Sequence, residues 1–127
     1  MRLLLDTHVL LWWLGDNGKI GPVTLAAIRN PTTDVFVSAV SSAEISIKKV
    51  SGKLEAPDDL PEQVVGNGFT ELPLTIEHGR VLADVPRLHG DPFDRLLVAQ
   101  AQAEQLMLVT ADRAMRSYDV QIMAATI

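Results

Sequence analysis

The chain has 127 residues, 11 basic and 16 acidic, with a formal charge of −5, 47% hydrophobic side chains and no cysteine. This composition describes one compact domain, residues 1–127, with enough apolar mass for its own core. It excludes disulfides, thiolate metal sites and cysteine nucleophiles, so any metal must be held by oxygen or histidine.

The N-terminal apolar stretch is cut by Asp6 and His8, which suits neither a signal peptide nor a membrane span; the expected location is the cytoplasm. Arg2 to Leu5 predicts a strand, and Thr7 to Leu14 a helix that Gly15 stops. Pro22 to Arg29 predicts a second helix, with Pro in its first turn and Asn30-Pro31 behind it. Val35-Phe36-Val37 is β-branched and aromatic, a strand, and Ser38 to Ser42 supply N-caps for a helix running to about Val50. Pro57 to Gly68 is helical without sharp bounds. Glu71 to Leu74 is a third strand, and Thr75 caps a helix through Ile76, Val81 and Leu82 that stops before Pro86. Asp91-Pro92-Phe93-Asp94 opens the best-marked helix, with a cap, a proline and an acid in consecutive roles. Leu106 to Val109 is a fourth strand, Asp112 opens a short helix, and Val120 to Met123 is a fifth strand.

Strands alternating with helices predict an α/β sandwich on a mostly parallel, about five-stranded central sheet flanked by helices. In such sheets ligands sit beyond the carboxyl ends of the strands. Asp6 follows the first strand, Glu44 lies early in the helix after the second, Asp94 in the first turn of a later helix, and Asp112 just after the fourth strand. All four can meet at one edge. Carboxylates crowded in a cleft must take up protons or a cation, and a hard ion such as Mg²⁺ or Mn²⁺ suits an oxygen-only set. With those four acids set aside, 16 − 4 = 12 acidic residues face 11 basic ones. Most of the acidity then belongs to the site, and Lys48, Lys49, Arg95, Arg113 and Arg116 form a candidate basic rim around it.

Each acid also has an ordinary reading. Asp91, Asp94 and Asp112 are what helix N-termini commonly carry, and Glu44 can pair with Lys48 one turn on. Asp6, placed straight after three leucines, is harder to explain away, because a buried acid without a partner is costly. His8, His78 and His89 share no metal-like spacing and are read as ordinary residues. No Gly-rich phosphate loop and no GxSxG elbow occurs. A phosphorelay receiver would carry paired acids after its first strand and a later lysine, whereas here Asp6 stands alone and no lysine follows Lys53. Trp12 and Trp13 cannot both face one sheet; either another chain or the folded-back Gly15 to Gly21 loop covers the surplus surface.

Leu4-Leu5-Asp6-Thr7-His8, Ser38-Ala39-Val40-Ser41-Ser42-Ala43-Glu44-Ile45, His89-Gly90-Asp91-Pro92-Phe93-Asp94-Arg95-Leu96-Leu97 and Leu108-Val109-Thr110-Ala111-Asp112 together resemble a PIN-domain protein, specifically a VapC-type toxin. The resemblance runs in order over nearly the whole chain. It implies a Rossmann-like PIN fold and a Mg²⁺- or Mn²⁺-dependent endoribonuclease that is homodimeric and silenced by a VapB-type antitoxin. The alternative is a PIN-fold binding module without activity. Carried over residue by residue, the catalytic acids are Asp6, Glu44, Asp94 and Asp112. Asp6, Asp94 and Asp112 are the metal ligands, and Thr7, Arg95, Thr110 and Arg113 stand near the substrate. Asp91 lies within the third motif but ranks as a helix cap. Relatives with this pattern often carry Trp where Ala43 stands, which predicts a more loosely placed Glu44.

Overall fold

Leu3, Leu4 and Leu5 put apolar side chains on both faces of one strand, and a strand buried on both faces belongs in the middle of a sheet. In the computed structural model, which describes residues 1–88 and 90–127, β1 (Arg2–Leu5) takes that place. Around it lie β2 (Asp34–Ser38), β3 (Thr70–Leu72), β4 (Met107–Thr110) and β5 (Ile122–Ala124). The order is β3-β2-β1-β4-β5 and every pairing is parallel. The chain therefore winds outward from β1 through β2 to β3, then crosses back to β4 and β5. The order reverses between β1 and β4, where a crevice opens at the carboxyl edge.

The helices are α1 (Thr7–Gly15), α2 (Pro22–Arg29), α3 (Ala39–Val50), α4 (Leu60–Gly66), α5 (Ile76–Leu82) and α6 (Pro92–Glu104), with a 3₁₀ turn at Arg113–Ser117. Alternation along β1 sends Leu3 and Leu5 to one core, with Val9 and Leu10 of α1, Ile28 of α2 and Val64 of α4. Leu4 faces the other, with Leu97, Val98 and Ala101 of α6 and Leu108 of β4. Full burial of each such leucine contributes about 1.5–3 kcal/mol. Helix α3 spans the two cores, giving Val40 to one and Ile45 to the other.

Several boundaries depart from the sequence reading for local reasons. Helix α4 is shorter than Pro57 to Gly68. Strand β3 stops at Leu72 because Pro73 has no N–H to continue the ladder. Strand β5 starts later than Val120, which instead packs against a core. The helix after Asp112 is 3₁₀.

After β5 the chain runs against the start of α2, where the backbone N–H groups of Gly21 and Val23 donate to the carbonyls of Ala125 and Ile127 at 2.9 and 2.7 Å. A Cβ on Gly21 would lie 2.4 Å from the Thr126 backbone, so only glycine fits that approach. The tryptophans are covered in part by the chain itself. Lys19, in the loop after α1, stands 5.6 Å over the Trp12 ring. The Trp13 indole N–H donates to Asn67 Oδ1 at 2.9 Å, and its ring leans on Phe69. Among the described residues no helix is long and apolar enough to cross a membrane.

Candidate active site

A parallel strand that feeds directly into a helix leaves its last residue as the helix cap, at the carboxyl edge of the sheet. Asp6 is such a residue. Its Oδ1 accepts from Val9 N at 2.8 Å and caps α1, while its own N–H donates to Val109 O of β4 at 3.0 Å. Only 7% of Asp6 is exposed. Burial pushes its carboxyl above the usual range, opposed by hydrogen bonds from the Thr110 hydroxyl and the Val9 N–H. Across the crevice Thr110 ends β4, and its Oγ1 accepts from Asp112 N at 3.0 Å. That hydroxyl therefore joins Asp6 to the loop that carries Asp112. Asp112, exposed, caps the 3₁₀ turn through Oδ1 on Ala114 N at 2.9 Å.

Glu44 lies on the second turn of α3, 3% exposed. Thr7 donates to its Oε1 at 2.6 Å and Lys48 to its Oε2 at 2.5 Å. The lysine pairing anticipated one turn on is present, but it is built into the cleft instead of a solvated face. Ala43 is exposed beside it. Thr7 and Lys48 hydrogen-bond its two oxygens, and neither contact involves position 43.

Asp91 caps α6, with Oδ1 accepting from Phe93 N and Asp94 N at 2.9 and 3.3 Å. This leaves Asp94 one turn inside, where burial and the charges of Asp91, Glu44, Asp6 and Asp112, in that order of weight, push its carboxyl up to about 7. The shift is itself a statement of proximity: Asp6, Glu44, Asp94 and Asp112, far apart in the chain, share one electrostatic environment, and Asp91 stands with them.

Capping and convergence are thus both true of these acids. Asp6, Asp91 and Asp112 satisfy orphan N–H groups through Oδ1 while facing the cleft's shared field. Of the candidate substrate residues, Thr7 is buried, with its hydroxyl on Glu44 and on Ser41 Oγ at 3.0 Å, so it positions Glu44 and does not meet solvent. Arg95 is turned to structural use as well: its Nη2 donates to Val85 O at 2.7 Å and ties α6 to the segment after α5. Arg113 is exposed beside Asp112. His8 is exposed, His78 is buried, and His89 lies outside the described residues. The sequence reading missed the polar group behind the cleft, in which Ser38, Gln100 and His78 are all buried. Its one legible sign was Ser38 among the candidate caps.

A parallel α/β sheet with acids gathered at the reversal of strand order defines a class of one-edge acidic sites. The PIN domain profile matches residues 3–121, and the chain belongs to the PIN domain family. It is similar to Ribonuclease VapC22 of Mycobacterium tuberculosis, with 26% identity over 127 residues and 91% of each chain covered. Its fold is that of a chain in VapBC2 from Rickettsia felis bound to a promoter DNA fragment, at a TM-score of 0.69 with 14% identity, covering 97% of this chain and 98% of that one. A toxin-antitoxin complex from Klebsiella pneumoniae has the same fold, at a TM-score of 0.63 with 13% identity and 97% of each chain covered.

Proposed function

We propose that the chain is an endoribonuclease, the toxin of a toxin-antitoxin pair, which hydrolyses RNA phosphodiester bonds at the acidic cleft with Mg²⁺ or Mn²⁺. The observation that carries this reading is Asp94, held near neutrality by burial and by four surrounding carboxylates. A cleft so charged repels phosphate until its charge is balanced. Among the described residues no three acidic or histidine side chains stand close enough to grip one ion together. Mg²⁺ asks for less, one or two carboxylates with water filling the remaining positions, and the all-oxygen donor set suits it. Of the expected ligands Asp6, Asp94 and Asp112, Asp6 and Asp94 would hold it directly and Asp112 would act through water. The bound ion supplies Lewis-acid polarisation of a phosphoryl oxygen and an activated water.

The chain's own groups do the rest. Thr110 fixes Asp6 against the Asp112 loop, Thr7 holds Glu44 at the cleft wall, and Glu44 serves to orient water. Arg113, exposed beside Asp112, is the cation available to a substrate phosphate. The similarity to a VapC ribonuclease over 91% of both chains supports the reaction, and the shared fold with toxin-antitoxin complexes supports an antitoxin as regulator. The chain is further read as a homodimer; light scattering should return a dimer, and a monomer at micromolar concentration would count against it. The test of the activity is cleavage of a mixed RNA pool with and without Mg²⁺. Fragments should appear only with the ion and disappear in Asp94→Asn, and metal-independent cleavage would overturn the reading.

A further inference from the structure

The acidic cleft holds a cation of its own. Lys48 Nζ bonds Glu44 Oε2 at 2.5 Å, with 29% of the lysine side chain and 3% of the glutamate exposed. Lys48 is also drawn by the charges of Asp91 and Asp94, and the pairing with Glu44 raises its pKa above the ordinary lysine value, so it stays charged. The two partners of Glu44 differ in mobility. Thr7 is buried and tied to Ser41, whereas Lys48 is a partly exposed ammonium on a flexible four-carbon stem. One residue along, Lys49 pairs instead with Asp58, which is almost fully exposed. Two adjacent lysines thus carry the same charge, one into the cleft and one away from it.

We infer that Lys48 is a tethered counter-ion of the cleft, which leaves Glu44 when a divalent cation enters. The inference rests on the metal-dependent reading of the site and adds a residue to it. As long as Lys48 is in place, the buried charge of Glu44 is compensated and the acids are held together without a metal. Entry of a divalent ion is then an exchange of cations, and its affinity is set lower than the carboxylates alone would give. Release of Lys48 also frees an ammonium at the edge of the cleft for a phosphate oxygen of the substrate.

The experiment measures Mn²⁺ affinity by electron paramagnetic resonance of the free ion, on wild type and on Lys48→Gln, Lys48→Arg, Lys49→Gln and Asp94→Asn. Removing one positive charge at this range should tighten Mn²⁺ binding by about tenfold in Lys48→Gln. Lys49→Gln, with the same net charge, should stay within about twofold of wild type because its pair is exposed and screened. Lys48→Arg should also resemble wild type. Equal or weaker binding in Lys48→Gln, with Asp94→Asn abolishing uptake, overturns the exchange and leaves the metal site standing. No uptake by wild type or Lys48→Gln overturns both. Should Lys48→Gln fail to fold, wild type answers alone. Lys19, Lys48, Lys49 and Lys53 are the chain's lysines; ¹³C-methylation keeps their charge, and Mg²⁺ must move the Lys48 signal. A stationary signal overturns the exchange.

Discussion

Two polar clusters lie along the same pair of helices, and they are built on opposite terms. At the carboxyl edge, α3 and α6 bring Glu44 and Asp94 together with Asp6, Asp91 and Asp112, so that like charges crowd a half-buried cleft. Farther along α6, Gln100 is fully buried in a neutral network. Ser38, the cap of α3, hydrogen-bonds Gln100 Oε1 and accepts from Val40 N, while Gln100 Nε2 reaches Pro73 O and His78 Nδ1, both at 3.3 Å. His78 in turn closes a capping box with Thr75 at the start of α5. The first cluster is hydrogen-bonded and meets a carboxylate only through His78 Nε2, 3.5 Å from Glu104 Oε2; the acidic one is repulsive and exists because something else holds its helices in place. Ser38 and Gln100 join the N-terminus of α3 to the middle of α6, and so keep Glu44 and Asp94 facing one another. The hydrogen-bonded network and the acid cluster thus lie on different turns of the same two helices.

The sharpest break in the charged cluster is Asp6→Asn. It keeps the shape and the cap while removing the charge nearest the reversal of strand order. Cleavage of RNA should fall by more than about a hundredfold, beyond what loss of an outer-shell partner costs. The far-ultraviolet circular dichroism should not change. Wild-type cleavage by this variant would remove Asp6 from the set of metal ligands.

The neutral cluster fails differently. Gln100→Leu is close in volume but leaves the Ser38 hydroxyl without an acceptor and the Pro73 carbonyl without its donor, at a cost of about 2–3 kcal/mol in unfolding free energy, measurable by urea titration. Activity should fall only as far as α3 and α6 drift apart. A variant as stable as wild type would mean that the network fills space and does not join the helices.

These contrasts also explain what could be read from sequence. Asp6, Asp91, Asp94 and Asp112 are legible because each follows a strand or lies at a helix start, where capping asks for the residue type that a metal site would also use. Asp91-Pro92-Phe93-Asp94 marks a helix start and Leu3-Leu4-Leu5 a strand, whose central place shows only in the sheet order. Gln100 was not legible, since a glutamine among Ala99 and Ala101 looks like any helical surface residue until tertiary packing buries it. Thr7 and Arg95 were placed near substrate by their motifs, yet their partners, Glu44 and Val85, come from elsewhere in the chain. The i,i+4 spacing from Glu44 singles out Lys48 over Lys49 in the sequence, but only the rotation of α3 shows that this pairing lies in the cleft.

Protonation sharpens the comparison on a smaller scale. Asp94 titrates near 7 in the folded chain against 3.8 as its ordinary value. A folded-state pKa raised in this way makes its contribution most favourable below pH 3.8, and that contribution is lost as pH rises through 3.8 to about 7. Asp6, raised by burial, acts in the same direction. In metal-free buffer Asp94→Asn should therefore be more stable than wild type at pH 8, by about 1–2 kcal/mol once solvent screening is allowed for. The two should converge at pH 4. Thermal melts across that range check the sign, and Mn²⁺ should reverse the order at pH 8 by stabilising wild type alone.

The smallest effect belongs to Ala43→Trp, which puts a large aromatic side chain next to Glu44 in the chain. If Glu44 needed such packing, the substitution would tighten the site and raise activity. The structure holds Glu44 by other means: Oε1 receives the hydroxyl of the buried Thr7, itself tied to Ser41, and position 43 faces solvent on the adjoining side of α3. Cleavage rate and Mn²⁺ affinity should both stay within about twofold of wild type, the range normal for surface changes away from caps and cores. A larger gain would show that hydrogen bonds alone do not fix the glutamate, and would move the control of this carboxylate from the cleft to the outer face of α3.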